Sequence, residues 1–422
     1  MFRTLLLAFS LVACTATQLR VPGSPLGIGE LSLSAWLAIV ILRNAPNRPA
    51  PRPALAAVSL FWTTLFAAEC IGLVKGMSTE LFFDTPSILH DVFAYVLLFA
   101  VAAAMSLELA SREARVSTSW RILVIGTGMI ILEVANGFGL FPTPADPWIF
   151  ERLRGWSLDP NQLGFLCANL VLLSVFLAGQ TERVMRRLSA LGCGLVAIAT
   201  GVLSQSDSFT VSLAAGAAIY LCMQAWKAMN ARRVDLRTAA ASVFLFAAPF
   251  IVIAALPFWQ TFVKASENYS ENMYDDNNQG ETRFKLWKEA IAKGLEADLV
   301  GYGPGPHLTA KSFKRPPPDK FEAHNVVLEL FTQGGALASA SFIMLMIFVL
   351  LKSVGANLPA TAAMSLSYMV FSMFHYEIRH PIFWFGVVLC LSEAASQQRR
   401  PREAAKRSER DLSAFSATVV SR

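Results

Sequence analysis

Long apolar runs separated by short polar breaks set the pattern of this chain. A helix that crosses a bilayer needs about 20 mainly apolar residues, because hydrocarbon holds no water to satisfy open backbone groups. Twelve segments read as such spans: about 3–18, 27–43, 53–75, 86–109, 119–141, 160–179, 187–203, 207–225, 237–259, 324–351, 357–374 and 379–395. The breaks between them are short, except for one long hydrophilic stretch, residues 260–323, between the ninth and tenth spans. The pattern predicts an all-α polytopic membrane protein with about 12 transmembrane helices, a single membrane domain over 1–395, and a basic tail over 396–422.

Composition agrees with a bilayer as the main solvent. The 422 residues are 54% hydrophobic and 16% charged, with a mean hydropathy of +0.47. The net charge of +6 does not mark a nucleic-acid binder, since the basic residues lie in short clusters between apolar runs. Those clusters orient the chain, because Lys and Arg are retained on the cytoplasmic side. One set of short loops holds Arg43, Arg48, Arg52, Arg112, Arg115, Arg183, Arg186, Arg187, Lys227, Arg232, Arg233 and Lys352, and the tail continues it. The opposite short loops hold only Arg20, Lys75, Arg152, Arg154 and Arg379. Both termini are therefore expected in the cytoplasm, and the long 260–323 loop in the periplasm of a cell inner membrane. The first span is the weakest, and Leu11-Val12-Ala13-Cys14 also fits a lipoprotein signal; either reading leaves the remaining orientation unchanged. The six cysteines sit in apolar segments without CxxC or histidine spacing, and read as small core residues.

The polar loop holds the candidate chemistry. From Glu281 to Glu296, Phe284, Leu286, Trp287, Ile291 and Leu295 recur at helical spacing. Gly301-Tyr302-Gly303-Pro304-Gly305-Pro306 follows, a turn whose glycines Gly303 and Gly305 allow close backbone approach to a ligand. Lys311, Lys314 and Arg315 then lead to His324-Asn325 at the mouth of the tenth span. An imidazole there, preceded by Glu322, suits general-base chemistry or, alternatively, an interfacial hydrogen bond. A second exterior group, Arg152 to Asn161, pairs arginines suited to phosphate with Asp159-Pro160-Asn161, although interfacial anchoring explains arginines there equally well. A third is the short polar turn Ser204-Gln205-Ser206-Asp207-Ser208. His375-Tyr376-Glu377 and Arg379-His380 form a further exterior patch, read as the rim of a cavity or as plain interface. The loop offers no convincing cluster of metal ligands, so neither metal nor cofactor is expected.

In this order the pieces resemble the O-antigen ligase and O-antigen polymerase superfamily. The resemblance rests on Arg283 with Trp287 four residues on, the Gly301–Gly305 turn, His324-Asn325 with Leu328-Glu329 and Gly334-Gly335, and upstream Arg154-Gly155 with Asp159-Pro160-Asn161. Its core covers about residues 187–350. It implies a glycan transferase that takes its donor from undecaprenyl diphosphate and delivers to a sugar hydroxyl of a glycan or lipid A-core acceptor at the periplasmic face. His324 would be the base, with inversion at the anomeric carbon. Arg283, Arg154 and Arg152 would hold the donor diphosphate, with Asn325, Asp159, Asn161, Gly303, Gly305 and Asp207 supporting. One departure stands out: the family commonly carries an arginine just after the Ser-rich turn, where this chain has Asp207. That substitution moves the cationic work elsewhere, marks a branch with another donor or acceptor, or signals lost activity. Two rival classes remain. A twelve-span transporter or flippase would show an internal repeat, and no clear repeat is present; a non-catalytic assembly protein has only Asp207 in its favour.

Overall fold

A computed structural model describes residues 2–21, 26–43, 53–79, 85–230, 279–309 and 321–398. The ninth predicted span, most of the loop on either side of its helix, and nearly all of the basic tail lie outside these residues. The described helices are α1 (Phe2–Ala13), α2 (Ile28–Arg43), α3 (Pro53–Thr79), α4 (Thr85–Glu108), α5 (Arg112–Gly137), α6 (Pro160–Gln180), α7 (Val184–Leu203), α8 (Asp207–Asn230), α9 (Gln279–Glu296), α10 (Val326–Gly355), α11 (Pro359–Ser372) and α12 (381–398). Among the described residues strand appears as one two-residue pair, β1 (Trp148–Ile149) against β2 (Arg152–Leu153). Among the described residues, α3 to α8 and α10 are seven helices long and apolar enough to cross a membrane. The chain is an all-α polytopic membrane protein.

Each predicted span on described residues contains a helix, but the first is shorter than expected. At 12 residues α1 reaches only about 18 Å. After Ala13 the chain turns, and Thr17–Leu19 forms a 3-10 turn docked on the loop before α6. There Gln18 Nε2 donates to the carbonyls of Asp146, Gly155 and Ser157 at 2.9, 3.1 and 2.7 Å. Polar side chains thus bind residues 14–19 to the loop before α6, while Arg3 at the other end of α1 pairs with Glu108 at the end of α4. Cys14 is buried in the core.

Two helices are covered on nearly every side. α6, apolar all round, packs against α5, α7, α8 and α11, as a helix without a polar face must. α12 is buried from Pro381 through Ala394. α10 leans on α3 and α11 and carries α9 across its N-terminal part.

α10 is not one straight rod. Gly334 (φ −114°, ψ 17°) and Gly335 (φ 65°, ψ −157°) break its helical geometry, and a kink leaves backbone groups that need partners. The segment after α9 supplies them. Tyr302 N–H donates to Thr332 O and Gly303 N–H to Gln333 O, both at 2.8 Å, while Ala336 N–H donates to Leu299 O at 2.8 Å. A Cβ on Gly301 would stand 2.2 Å from Gln333 O, and one on Gly303 would stand 2.7 Å from Leu73 Cα of α3. The close approach that these glycines permit is to the chain's own α10 and α3.

Candidate active site

The site forms where the start of α6, the α7–α8 turn, α9, the start of α10 and the α11–α12 connection meet. The β1–β2 hairpin turns through Phe150 and Glu151, both at positive φ (45° and 62°), the geometry that matches strand twist in a two-residue loop. This aims Arg152 at the α7–α8 turn, where its Nε donates to Ser204 O at 3.3 Å. Gln205 Nε2 returns a bond to Glu151 O at 3.1 Å.

Asp159-Pro160-Asn161 is a helix start. Asp159 caps α6 by accepting from Asn161 N–H at 2.6 Å, with Pro160 in the first turn. Asn161 Oδ1 accepts from Ser206 Oγ at 2.8 Å and Ser208 Oγ at 3.5 Å. The Ser-rich turn is thereby locked to α6. Asp207 is exposed and opens α8, where the helix dipole favours a carboxylate.

His324 stands at the entrance to α10 with φ +50°, a left-handed conformation rare outside glycine. Its neighbours hold it there. Asn325 caps α10, accepting from Leu328 N–H at 3.1 Å and donating from Nδ2 to Met373 O at 3.0 Å. On the other side Ala323 N–H donates to Glu329 Oε2 at 2.6 Å, and Ala323 O accepts from Trp287 Nε1 at 3.1 Å. Trp287 therefore ties α9 to the residue before His324. Arg283 lies one turn earlier on the same face of α9.

Three imidazoles line up beside this entrance. His324 and His375 have ring centroids 6.4 Å apart with planes 14° from parallel, and His375 and His380 follow at 6.1 Å and 28°. His324 is partly exposed; the other two are buried. Burial lowers the His375 pKa to about 4, against the opposing pull of Asp159 and Glu322 and with repulsion from His324 and Arg283. Burial likewise takes His380 to about 3. Burial acts to raise the Asp159 carboxyl, but His375, the Asn161 N–H, His324 and Arg152 together hold it below its ordinary value. Burial lowers the Arg152 pKa, with Asp159 and Asp207 opposing and Arg283 adding to the shift. His324, His375, Asp159, Arg152, Asp207 and Arg283 thus share one electrostatic neighbourhood.

Residues 192–343 match the family model described as O-antigen ligase. Over that stretch the chain is similar to the O-antigen ligase family. That stretch carries Asp207, Arg283, the glycine turn and His324-Asn325; Arg152, Asp159, Asn161, His375 and His380 reach the same site from outside it. No curated protein matches the chain.

The expected residues separate by surroundings. Arg154 does not share the Arg152 setting: it clamps its own loop, with Nη2 to Asp146 Oδ2 and Nε to Asp146 O both at 2.9 Å. Gly303 and Gly305 lie beneath the site, the first bonded to α10 and the second donating its N–H to Asp91 Oδ2 at 3.1 Å. Gly305 belongs to a layer in which Arg379 and Glu322 meet Asp91 and Gln333, two residues that the polar pattern of the chain does not single out. Arg379 bridges Asp91 (Nε to Oδ1, 3.1 Å) and Glu322 (Nη1 to Oε1, 2.8 Å). Gln333 Nε2 donates to Gly305 O at 3.2 Å and Glu329 Oε1 at 3.1 Å, and its Oε1 accepts from Tyr95 at 2.8 Å. The available signal was Asp91 and Glu69 inside otherwise apolar runs, since ionisable groups at membrane depth face the bundle interior.

Proposed function

We propose that this O-antigen ligase-type membrane glycan transferase moves a glycan from undecaprenyl diphosphate to a sugar hydroxyl at the periplasmic face. The observation carrying this reading is a partly exposed imidazole, His324, in the same electrostatic neighbourhood as two arginines, Arg152 and Arg283. Among the described residues Arg283 forms no ion pair with a carboxylate, so its charge remains available to an anionic ligand. Arg152 and Arg283 hold the donor diphosphate, whose charge grows as it leaves. His324 takes the acceptor hydroxyl proton while that oxygen bonds to the anomeric carbon from the face opposite the diphosphate. The bond from that carbon to the phosphate oxygen breaks, its electron pair leaves with the undecaprenyl diphosphate, and the configuration inverts. Asp159 stabilises the imidazolium as it forms.

Asp207 fits this scheme without loss of activity. The cation that the family commonly places after the Ser-rich turn comes here from the hairpin, where Arg152 bonds Ser204 O.

The test is transfer from purified undecaprenyl-diphosphate-linked glycan by membranes carrying wild-type or His324→Ala protein. Loss of a general base lowers the rate by about 10²–10⁴-fold. Normal product length and yield from the variant would remove His324 from catalysis. In a deletion strain, single carrier-linked repeat units identify a polymerase, whereas full carrier-linked chains beside a bare lipid A core identify a ligase.

A further inference from the structure

The opposite end of the bundle, away from His324, contains a cavity. About 290 Å³ in volume, it opens between the end of α6, the start of α7, the end of α8 and the start of α11, with Glu393 of α12 at its floor. Arg187 and Lys227 enter it, and Tyr220 and Gln224 add polar side chains.

Its charge balance is positive. Glu393, the carboxylate lining it, is neutralised from behind by the buried Arg115, whose Nε lies 2.7 Å from Oε2. Arg187 Nη2 donates to Thr181 O at 3.0 Å, while its Nε is buried without a hydrogen-bond partner. Among the described residues Lys227 forms no ion pair. The N-terminus of α11 also faces this space: Leu358, Pro359, Ala360 and Thr361 line it, and no side chain caps the helix. Pro359 has no N–H, so the first-turn amides of Ala360 and Thr361 remain as donors with the positive end of the helix dipole behind them. A guanidinium, an ammonium and a helix N-terminus around one cavity select an anion with several oxygens.

The surroundings say how that anion arrives. Val175, Phe176, Leu191 and Pro359 form an apolar wall. Outside, Val184, Met185, Leu188, Trp226 and Met229 are exposed by 57–74%, a rim suited to acyl chains and the headgroup level of a bilayer. A soluble phosphate needs no such rim. We propose that this cavity binds the phosphate headgroup of an anionic phospholipid of the inner leaflet, with its acyl chains along the α7 and α8 surface.

The test uses the full chain, delipidated in neutral detergent, with binding read by native mass spectrometry and by the thermal unfolding midpoint. Phosphatidylglycerol is expected to bind one per chain and raise the midpoint, while phosphatidylcholine and sodium phosphate at equal concentration leave it unchanged. Arg187→Gln with Lys227→Gln should weaken phosphatidylglycerol binding about 30-fold, and Lys227→Arg should keep it. Ala360→Trp fills the cavity without touching either cation and should abolish binding even if the double variant does not fold. Equal stabilisation by phosphatidylcholine, an equal effect of sodium phosphate, or unchanged affinity in Ala360→Trp would each overturn the assignment.

Discussion

Asn325 is the residue through which the backbone at His324 is most directly controlled. It is 2% exposed and makes two bonds, accepting from Leu328 N–H at 3.1 Å and donating to Met373 O at 3.0 Å. Asn325→Ala removes both. Loss of a helix cap costs about 1 kcal/mol, and loss of a neutral bond to a part-buried carbonyl costs about 1 kcal/mol more. His324 meanwhile occupies φ +50°, which a non-glycine residue leaves when released because it is less favourable by about 1 kcal/mol. The two lost bonds, about 2 kcal/mol together, correspond to a fall of up to roughly 30-fold in transfer rate if the whole effect falls on the catalytic geometry. Asn325→Ser isolates the terms, since a hydroxyl caps the helix but is too short to reach Met373 O; its loss should be near 1 kcal/mol, about fivefold. Initial rates of transfer from the carrier-linked donor, measured beside the thermal unfolding midpoint in detergent, give the order wild type, Ser, Ala. An Ala variant within twofold of wild type, with an unchanged midpoint, would refute the view that this cap positions the site.

Three further outcomes follow from the same geometry. Gly335→Ala places a Cβ 2.0 Å from Leu299 O at a φ of +65°, so a loss of at least about 3 kcal/mol is expected; Gly128→Ala, whose Cβ meets nothing within 4 Å, should leave the detergent unfolding midpoint unchanged or higher. His375, buried with its pKa lowered to about 4, stays neutral in the folded chain while the unfolded chain protonates near its ordinary value of 6.5. Its contribution is therefore present above pH 6.5 and lost as pH falls from 6.5 to about 4. Glu377, raised to about 8 by burial, works the other way, with stability lost as pH rises, so the difference between wild type and His375→Phe over this acid range is the measurement: the variant should lack the His375 fall. Arg152→Gln should raise the KM for carrier-linked donor at least about tenfold, whereas Arg154→Gln, which breaks the clamp to Asp146 and a long bond to Leu158 O, should leave that KM unchanged and shift stability by no more than about 1 kcal/mol. The reverse pattern would move the donor site to Arg154.

The sequence by itself determined the solvent of this protein and the order of its helices. Apolar runs of membrane length have few other solutions, because every backbone group in hydrocarbon must bond within its own helix. The Arg283–Trp287 spacing was legible for the same reason, since i and i+4 share a face in any helix. So was the opening of the tenth span at His324-Asn325, where the polar loop gives way to an apolar run. Tertiary structure decided what sequence spacing does not encode. Arg152 and Arg154 are two residues apart and of one type, yet the hairpin sends one to Ser204 O and the other to Asp146. The glycine turn reads as a ligand cradle until the kink at Gly334–Gly335 shows which backbone it approaches. His375 and His380, some fifty residues beyond His324, join it because the α11–α12 connection folds back over the start of α10, bonded there through Asn325 to Met373 O. Burial and proximity belong to the packed bundle, and they set both the charge state of an imidazole and the partner of a guanidinium.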